Sequence, residues 1–331
     1  MHFETRGERI DVAEKLVHSD RGHSLKYDAL LIAAGGRPKL APWPAIAGSS
    51  DILSFQTIDD AKRIVARTDE AKRVVVVGGS FIGYELAEGI AYRKKAKVTW
   101  MMRGPRFLRT ALDEEAGELC RRLGEGAGVE FVLSDNLRSI SRSNGHYVGE
   151  TEQGRKIEFD ALGYGLGLDY YLEPAIDCGV EIRGGIVTDQ RMRTRVPGVY
   201  AAGDIAHFYD LMVAKHHRLG TWDNALGHGR TAARNMAGGN EDYLDVPTYT
   251  TTIFGSSMAV LGITEGLAGL ESVRDFSYEK RYYRRLFFYQ DRLVGAVLIG
   301  PPKGRRKLIE IMRSRERVEP PRTNYLDPAK L

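Results

Sequence analysis

The chain has 331 residues, 43% hydrophobic and 28% charged, with 48 basic side chains against 44 acidic ones for a net charge of +4. This composition excludes a disordered chain, the near balance of charge gives no general case for nucleic-acid binding, and no apolar run is long enough for a membrane helix. Met1-His2-Phe3-Glu4-Thr5-Arg6 does not open like a signal peptide, so a cytoplasmic protein of two or three domains is expected.

Arg9 to Val17 reads as a short strand with a turn at Asp20-Arg21-Gly22. Leu30 to Ala34 reads as a buried strand that ends in Gly35-Gly36. Pro38, Pro42 and Pro44 then describe a stiff exit, with a domain boundary near residue 45. Phe55 to Ala61 opens a helix capped by Thr57 or Asp59.

The stretch that follows is the most informative. Val74-Val75-Val76-Val77 suits a strand buried on both faces of a parallel sheet, and Gly78-Gly79-Ser80-Phe81-Ile82-Gly83 leads from it into a helix. In a G-x-G-x-x-G turn the first glycine makes the bend, the last lets helix and strand pack closely, and the free N–H groups at the helix start hold a pyrophosphate. Ser80 takes the middle position, where its hydroxyl can bond phosphate. A second strand, Lys97 to Met102, lies one unit further on.

In an NAD site the end of that second strand carries an acid for the ribose hydroxyls. Met102 stands there, followed by Arg103, Arg106 and Arg109. Guanidinium groups at this point suit the additional phosphate of NADP; the alternative is a solvated basic loop.

A helix from about Asp113 to Gly124 is followed by a predicted meander of Val129 to Val132, His146 to Glu152 and Lys156 to Leu162, so residues 46–168 form one small domain. Gly163-Tyr164-Gly165-Leu166-Gly167 resembles a phosphate loop, but Pro174 and Gly179 interrupt any long helix after it, and it reads as a connection between domains. Val199 to Gly203-Asp204 is a strand that ends in a carboxylate, where α/β proteins place ligands and where an aspartate can accept a hydrogen bond from a sugar-alcohol hydroxyl. Gly220 to Met236 is an alanine- and glycine-rich helix. From Val246 the composition turns to strands, Tyr249 to Phe254, Tyr282 to Tyr289 and Leu293 to Ile299, before a last helix from about Lys307 to Arg313.

Two basic clusters, Lys215 to Arg218 and Lys303 to Lys307, could meet an acidic partner or be solvated surface. Cys120 and Cys178 have no C-x-x-C spacing and read as small buried apolar residues. The eight histidines show no ligand spacing, so no metal is expected.

The order of these motifs resembles the FAD-dependent pyridine nucleotide-disulfide oxidoreductases, in particular the ferredoxin/rubredoxin reductase-like and nitrite reductase flavodomain-like members. The residues that carry the resemblance are Tyr27-Asp28 with Leu30 to Pro38, Thr57 to Ala61, and the glycine turn with Glu85. Val196-Pro197-Gly198 with Val199 to Asp204, Trp222-Asp223-Asn224-Ala225 with Gly229, and Leu293 to Val297 complete the series.

The resemblance implies an α/β fold in which a Rossmann-like NAD(P)-binding domain (46–168) is inserted in a FAD-binding domain (1–45 and 169–245), followed by a C-terminal α+β interface domain (246–331). It implies FAD and NAD(P)H as cofactors and hydride transfer from NAD(P)H to flavin. Electrons would then pass to an acidic carrier such as ferredoxin or rubredoxin, with homodimerisation through the last domain. Gly78, Gly79, Ser80, Phe81, Ile82, Gly83 and Arg103 would bind the nucleotide, and Glu85 would lie near the nicotinamide as the catalytic residue. Ala34, Gly35, Gly203, Asp204, Trp222, Asn224 and Ala225 would contact the flavin, Asp204 through its ribitol.

Members of the family begin with a strand, G-x-G-x-x-G and helix for the ADP half of FAD, and nothing before Asp28 supplies them here. The flavin sheet is therefore expected to be truncated, with unpaired edges and poor flavin retention. An NADH oxidase or disulfide reductase, and a non-catalytic NAD(P)H-binding remnant, are the alternatives.

Overall fold

The computed structural model describes residues 1–330. The chain opens on a small antiparallel meander, β1 (Gly7–Asp11), β2 (Leu16–Ser19) and β3 (Ser24–Lys26), where one strand was expected between Arg9 and Val17. Lys15, with φ of 53°, makes the extra reversal. β4 (Leu30–Ile32) and β5 (Gly36–Pro38) follow.

The second region is a five-stranded parallel sheet. Its elements are β6 (Ile52–Leu53), α1 (Ile58–Glu70), β7 (Arg73–Val77), α2 (Phe81–Arg93), β8 (Lys97–Met102), α3 (Glu114–Gly126) and β9 (Val129–Leu133). An antiparallel meander, β10 (Leu137–Ser143), β11 (His146–Thr151) and β12 (Lys156–Phe159), precedes β13 (Ala161–Tyr164). The strand order is β6-β13-β7-β8-β9.

Each helix start is written locally. Thr57 and Asp60 close a reciprocal capping box on α1, Ser80 caps α2, and Asp113 caps α3 with Glu114 and Glu115 in the favourable first turn. Val74 to Val77 are buried on both faces, each contributing roughly 1.5–3 kcal/mol of transfer free energy. Two sequence expectations change here. Residues 129–133 join the parallel sheet and not the meander. The run from Lys156 to Leu162 is two strands in different sheets, broken at Asp160, whose carboxylate accepts from the Lys72 and Arg73 amides at 2.9 Å. Trp43 and Ile46 pack into this region's core, and the Trp43 indole donates to the Leu137 carbonyl at 3.0 Å, so the stiff proline segment is tied down.

The third region holds β14 (Leu168–Tyr170), α4 (Glu173–Ile176), β15 (Ile186–Thr188), β16 (Val199–Ala201), a 3₁₀ turn at Gly203–Ile205, β17 (Ala206–Asp210), β18 (Lys215–His217) and α5 (Trp222–Met236). β14 pairs with β5 and β16 runs parallel to β4, which joins this region to the first. The far edge of β16, expected to be open, is partly occupied. The Ala201 amide donates to the Met192 carbonyl at 3.1 Å and the Thr194 amide to the Val199 carbonyl at 3.0 Å.

The last region is an antiparallel sheet of β19 (Thr248–Ile253), β20 (Ser256–Gly262), β21 (Glu271–Ser277), β22 (Tyr282–Tyr289) and β23 (Arg292–Ile299), in the order β19-β20-β23-β22-β21, with α6 (Arg305–Ser314) against β23. β20 and the mostly exposed edge strand β21 escaped the sequence reading, because neither carries a run of alternating branched residues. Gln290 and Asp291 both have positive φ, as the two-residue turn between β22 and β23 requires. Among the described residues no helix is long and apolar enough to cross a membrane.

Candidate functional site

The glycine turn is over-determined by its neighbours. Gly78 sits at φ +125°, and a Cβ there would lie 2.4 Å from the Gly165 carbonyl oxygen; a Cβ on Gly83 would lie 2.1 Å from the Gly78 carbonyl oxygen. Strand, turn and helix thus approach more closely than any side chain permits. Gly165, read from sequence as part of a connection, is the residue pressed onto the turn. Ser80 also has a different task from the one expected. Its hydroxyl donates to the Gly165 carbonyl at 3.0 Å and accepts from the Gly83 amide at 3.5 Å, so it caps the helix and is not left for a phosphate.

Within the turn, Phe81 and Ile82 face a cleft of ≈ 770 Å³. Among the parts of the chain that meet there are Glu85 on α2, Asp204 after β16, Trp222 and Ala225 on α5, and Tyr249 on β19. Glu85 accepts a 2.5 Å hydrogen bond from the Tyr249 hydroxyl, and the Tyr249 ring lies against Phe81 with centroids 3.7 Å apart. Burial, reinforced by the Glu85 carboxylate, pushes the Tyr249 phenol up, so it stays a donor. Nothing in the Thr248-Tyr249-Thr250-Thr251-Thr252 strand marks that tyrosine except its being the lone aromatic of a threonine run.

Asp204 is half-buried and makes no hydrogen bond or ion pair among the described residues. Desolvation holds its carboxyl above the ordinary carboxylate range. Gly203 beside it has φ of +76°, and the Asp204 carboxylate faces Gly220. Trp222, at the first turn of α5, is 78% exposed.

Other candidates lie elsewhere. Asn224 is turned inward: its amide donates to the Leu219 carbonyl at 2.7 Å and its carbonyl accepts from Tyr243 at 2.9 Å, which fixes the start of α5 without reaching the cleft. Ala34 is exposed at the end of β4, outside the cleft, and Gly35 there accepts from the Tyr171 amide. Arg103 is exposed beyond β8. Of the basic clusters, Lys215 and His217 are engaged, with the Gly266 carbonyl and the buried Asp210 carboxylate respectively. Both cysteines are buried, Cys120 with its thiol pushed up to about 12 by desolvation, and neither lines the cleft.

With this geometry, residues 1–229 match the pyridine nucleotide-disulphide oxidoreductase family and residues 247–316 match the rubredoxin NAD+ reductase C-terminal domain. The chain belongs to the pyridine nucleotide-disulphide oxidoreductases. The rubredoxin-NAD(+) reductase of Pseudomonas putida is 30% identical over 298 residues, 89% of this chain and 76% of that one, and that of Ectopseudomonas oleovorans is 31% identical over 301 residues with the same coverage. In fold, a ferredoxin reductase from Rhodopseudomonas palustris superposes with a TM-score of 0.89 over 98% of this chain and 80% of that one at 22% identity. A covalent putidaredoxin reductase–putidaredoxin complex gives a TM-score of 0.87 over 96% of this chain and 76% of that one at 24% identity.

The cofactors of the chain are accordingly FAD and NAD(P)H, and its chemistry is that of an NAD(P)H-dependent flavoprotein oxidoreductase. The donors present fit both groups. A half-buried carboxylate without a partner suits a polyhydroxyl chain, and a glycine turn whose Cβ positions are filled by backbone suits a pyrophosphate.

Proposed function

We propose that the cleft is where a nicotinamide and an isoalloxazine ring meet, and that the chain reduces a small ferredoxin- or rubredoxin-type protein. The observation that carries this is the convergence of Glu85, Asp204, Trp222 and Tyr249 on one cavity from four separate elements of the chain. The proposed division is a nucleotide-binding domain at 46–168, a flavin domain from 1–45 and 169–245, and an interface domain at 246–331.

Bound flavin supplies the means of taking two electrons as hydride and releasing them singly. The chain's own residues do the positioning. The α2 amides after Gly78 would hold the pyrophosphate of NAD(P)H. Asp204 would accept hydrogen bonds from the ribitol hydroxyls, and the small Ala225 would let a flat ring lie against the start of α5. Glu85, oriented by the Tyr249 hydroxyl, would border the nicotinamide carboxamide, while Phe81 and Tyr249 exclude water from that side of the cleft.

A protein carrier is supported by the relatives' being rubredoxin-NAD(+) reductases, and the exposed Trp222 gives an apolar contact at the cleft. In the test, FAD-loaded chain is mixed anaerobically with NADH or NADPH, and oxidised rubredoxin or ferredoxin is then added. Bleaching of the flavin absorbance followed by its return as the carrier is reduced is expected; a flavin that stays oxidised in both nucleotides would sink the proposal.

A further inference from the structure

A second cavity, of ≈ 430 Å³, lies beside the cleft, and the two share only Phe81, Thr221 and Tyr249 of their linings. The Phe81 and Tyr249 rings, packed on each other, thus form a wall with a cavity on either side. Glu85, Asp204 and the glycines of the turn do not border the second one.

Its body is apolar and drawn from three regions of the fold. Leu108 and Ala111 come from the loop after β8, Val213 and Leu219 flank β18, and Val260 and Ile263 come from β20 and the residue just past it. The chamber has room for two fused rings, and two of its wall residues are themselves aromatic.

One part of the lining is polar and positive. Lys215 and His217 lie on β18, and Arg218 follows them. The Lys215 ammonium gives one proton to the Gly266 carbonyl at 2.5 Å and keeps two, and the exposed Arg218 guanidinium lies over the Tyr170 ring at 4.4 Å. Neither has a carboxylate partner among the described residues.

His217 is pinned from behind. Its Nε2 is 2.8 Å from the carboxylate of Asp210, which is 5% exposed and also accepts from the Met212 amide at 2.7 Å, while the His217 Nδ1 has no partner among the described residues. Glu265 is the one acid of the lining, so two unpaired cations stand against one carboxylate. A chamber of this kind is matched by an apolar body that carries a single negative charge.

We propose that this cavity is a second binding site, for a small aromatic carboxylate whose rings lie among Val213, Leu219 and Val260 and whose charge meets Lys215 and Arg218. The site stands apart from the nicotinamide cleft, and the inference does not rest on the assignment of that cleft.

The test is calorimetric titration of the full chain with 2-naphthoate and with 2-naphthamide, its uncharged match, which reads binding without turnover. The acid is expected to bind, and at least about tenfold more tightly than the amide. Replacing both Lys215→Ala and Arg218→Ala, two exposed positions, should bring the acid down to the affinity of the amide. Thr264→Trp, at a half-buried position that lines this cavity and not the cleft, should fill the chamber and abolish binding of both. Absence of naphthoate binding, equal affinity for acid and amide in the unaltered chain, or a preference for the acid that survives the double substitution overturns the proposal. Naphthoate that binds the Thr264→Trp chain undiminished sits elsewhere, and that result overturns it as well.

Discussion

The two sides of the cleft are built on different plans. On the side of the glycine turn, β7 lies in one continuous parallel sheet and leads through the turn into α2, and the closest approaches are backbone against backbone, Gly78 on Gly165 and Gly83 on Gly78, with the Ser80 hydroxyl bonded to the Gly165 carbonyl and the Gly83 amide. On the opposite side, β4 and β16 form a two-stranded sheet of their own, and the residues presented to the cleft, Asp204 and Trp222, leave their polar or aromatic surfaces without a partner in the chain. The first side is specified by shape, so it tolerates almost no added atom. The second is specified by chemistry, so it tolerates change in the fold but not in the ligand's hydrogen bonding.

The sharpest way to break the contrast is Gly83→Val. Its Cβ would fall 2.1 Å from the Gly78 carbonyl oxygen. A loss of more than about 3 kcal/mol in urea unfolding, with loss of NAD(P)H binding, is expected. A variant of wild-type stability would mean that the turn is not held by shape.

On the other side, Asp204→Asn should leave the unfolding midpoint nearly unchanged and weaken FAD retention by about 1.5–3 kcal/mol, the range for a hydrogen bond to a charged group. Equilibrium dialysis against FAD measures it. A large loss of stability instead would place Asp204 in the scaffold.

The side that carries Asp204 also holds a buried imbalance. His228 is fully buried, both ring nitrogens lack partners, and Phe208 and Tyr243 lie 4.4 and 4.5 Å from its ring. Burial pushes its pKa from 6.5 down to about 4. Between these values the unfolded chain holds the proton and the folded chain does not, so stability is fully present above the unfolded value and is lost as pH falls toward the folded one. A decrease of about 2 kcal/mol between pH 7.5 and pH 5 is expected from this group. Unfolding curves at the two pH values, for the native chain and His228→Phe, check it: the substitution should remove that part of the pH dependence.

The smallest effect belongs to the bond that spans the cleft. Tyr249→Phe removes the donor to Glu85 while keeping the ring against Phe81, and should slow flavin reduction by NAD(P)H up to about tenfold with binding little altered, about 1 kcal/mol of orientation. Stopped-flow absorbance reads the rate; an unchanged rate would leave Glu85 without a positioning partner.

Much of this architecture was legible in the residues themselves. A run of four valines followed by Gly78 and Gly83 can satisfy burial and a left-handed turn in few ways, and Thr57 and Asp113 each mark a helix start by local hydrogen bonding, whereas the Ser80 cap emerged only in the structure. Asp204 was a candidate from sequence because it follows a buried strand where α/β proteins place ligands, and in the structure it is half-buried without a hydrogen-bonding partner. What local pattern could not express was any relation across long sequence separation. Val129 to Leu133 looks the same in a meander as in a parallel sheet, and Asn224 looks like a ligand until Tyr243 is seen to take its carbonyl.

Sequence by itself determined the strand–turn–helix units from β7 to α3 and the places where their helices begin, because those depend on side-chain size, φ preference and hydrogen bonds within a few residues. Only the tertiary structure decided that Gly165 closes on the turn, that Tyr249 reaches Glu85 from 164 positions away, and that Arg106 braces the loop after β8 through the Leu112 carbonyl. Those are matters of packing, where the partner of each group is chosen by the whole fold and by nothing in its own neighbourhood.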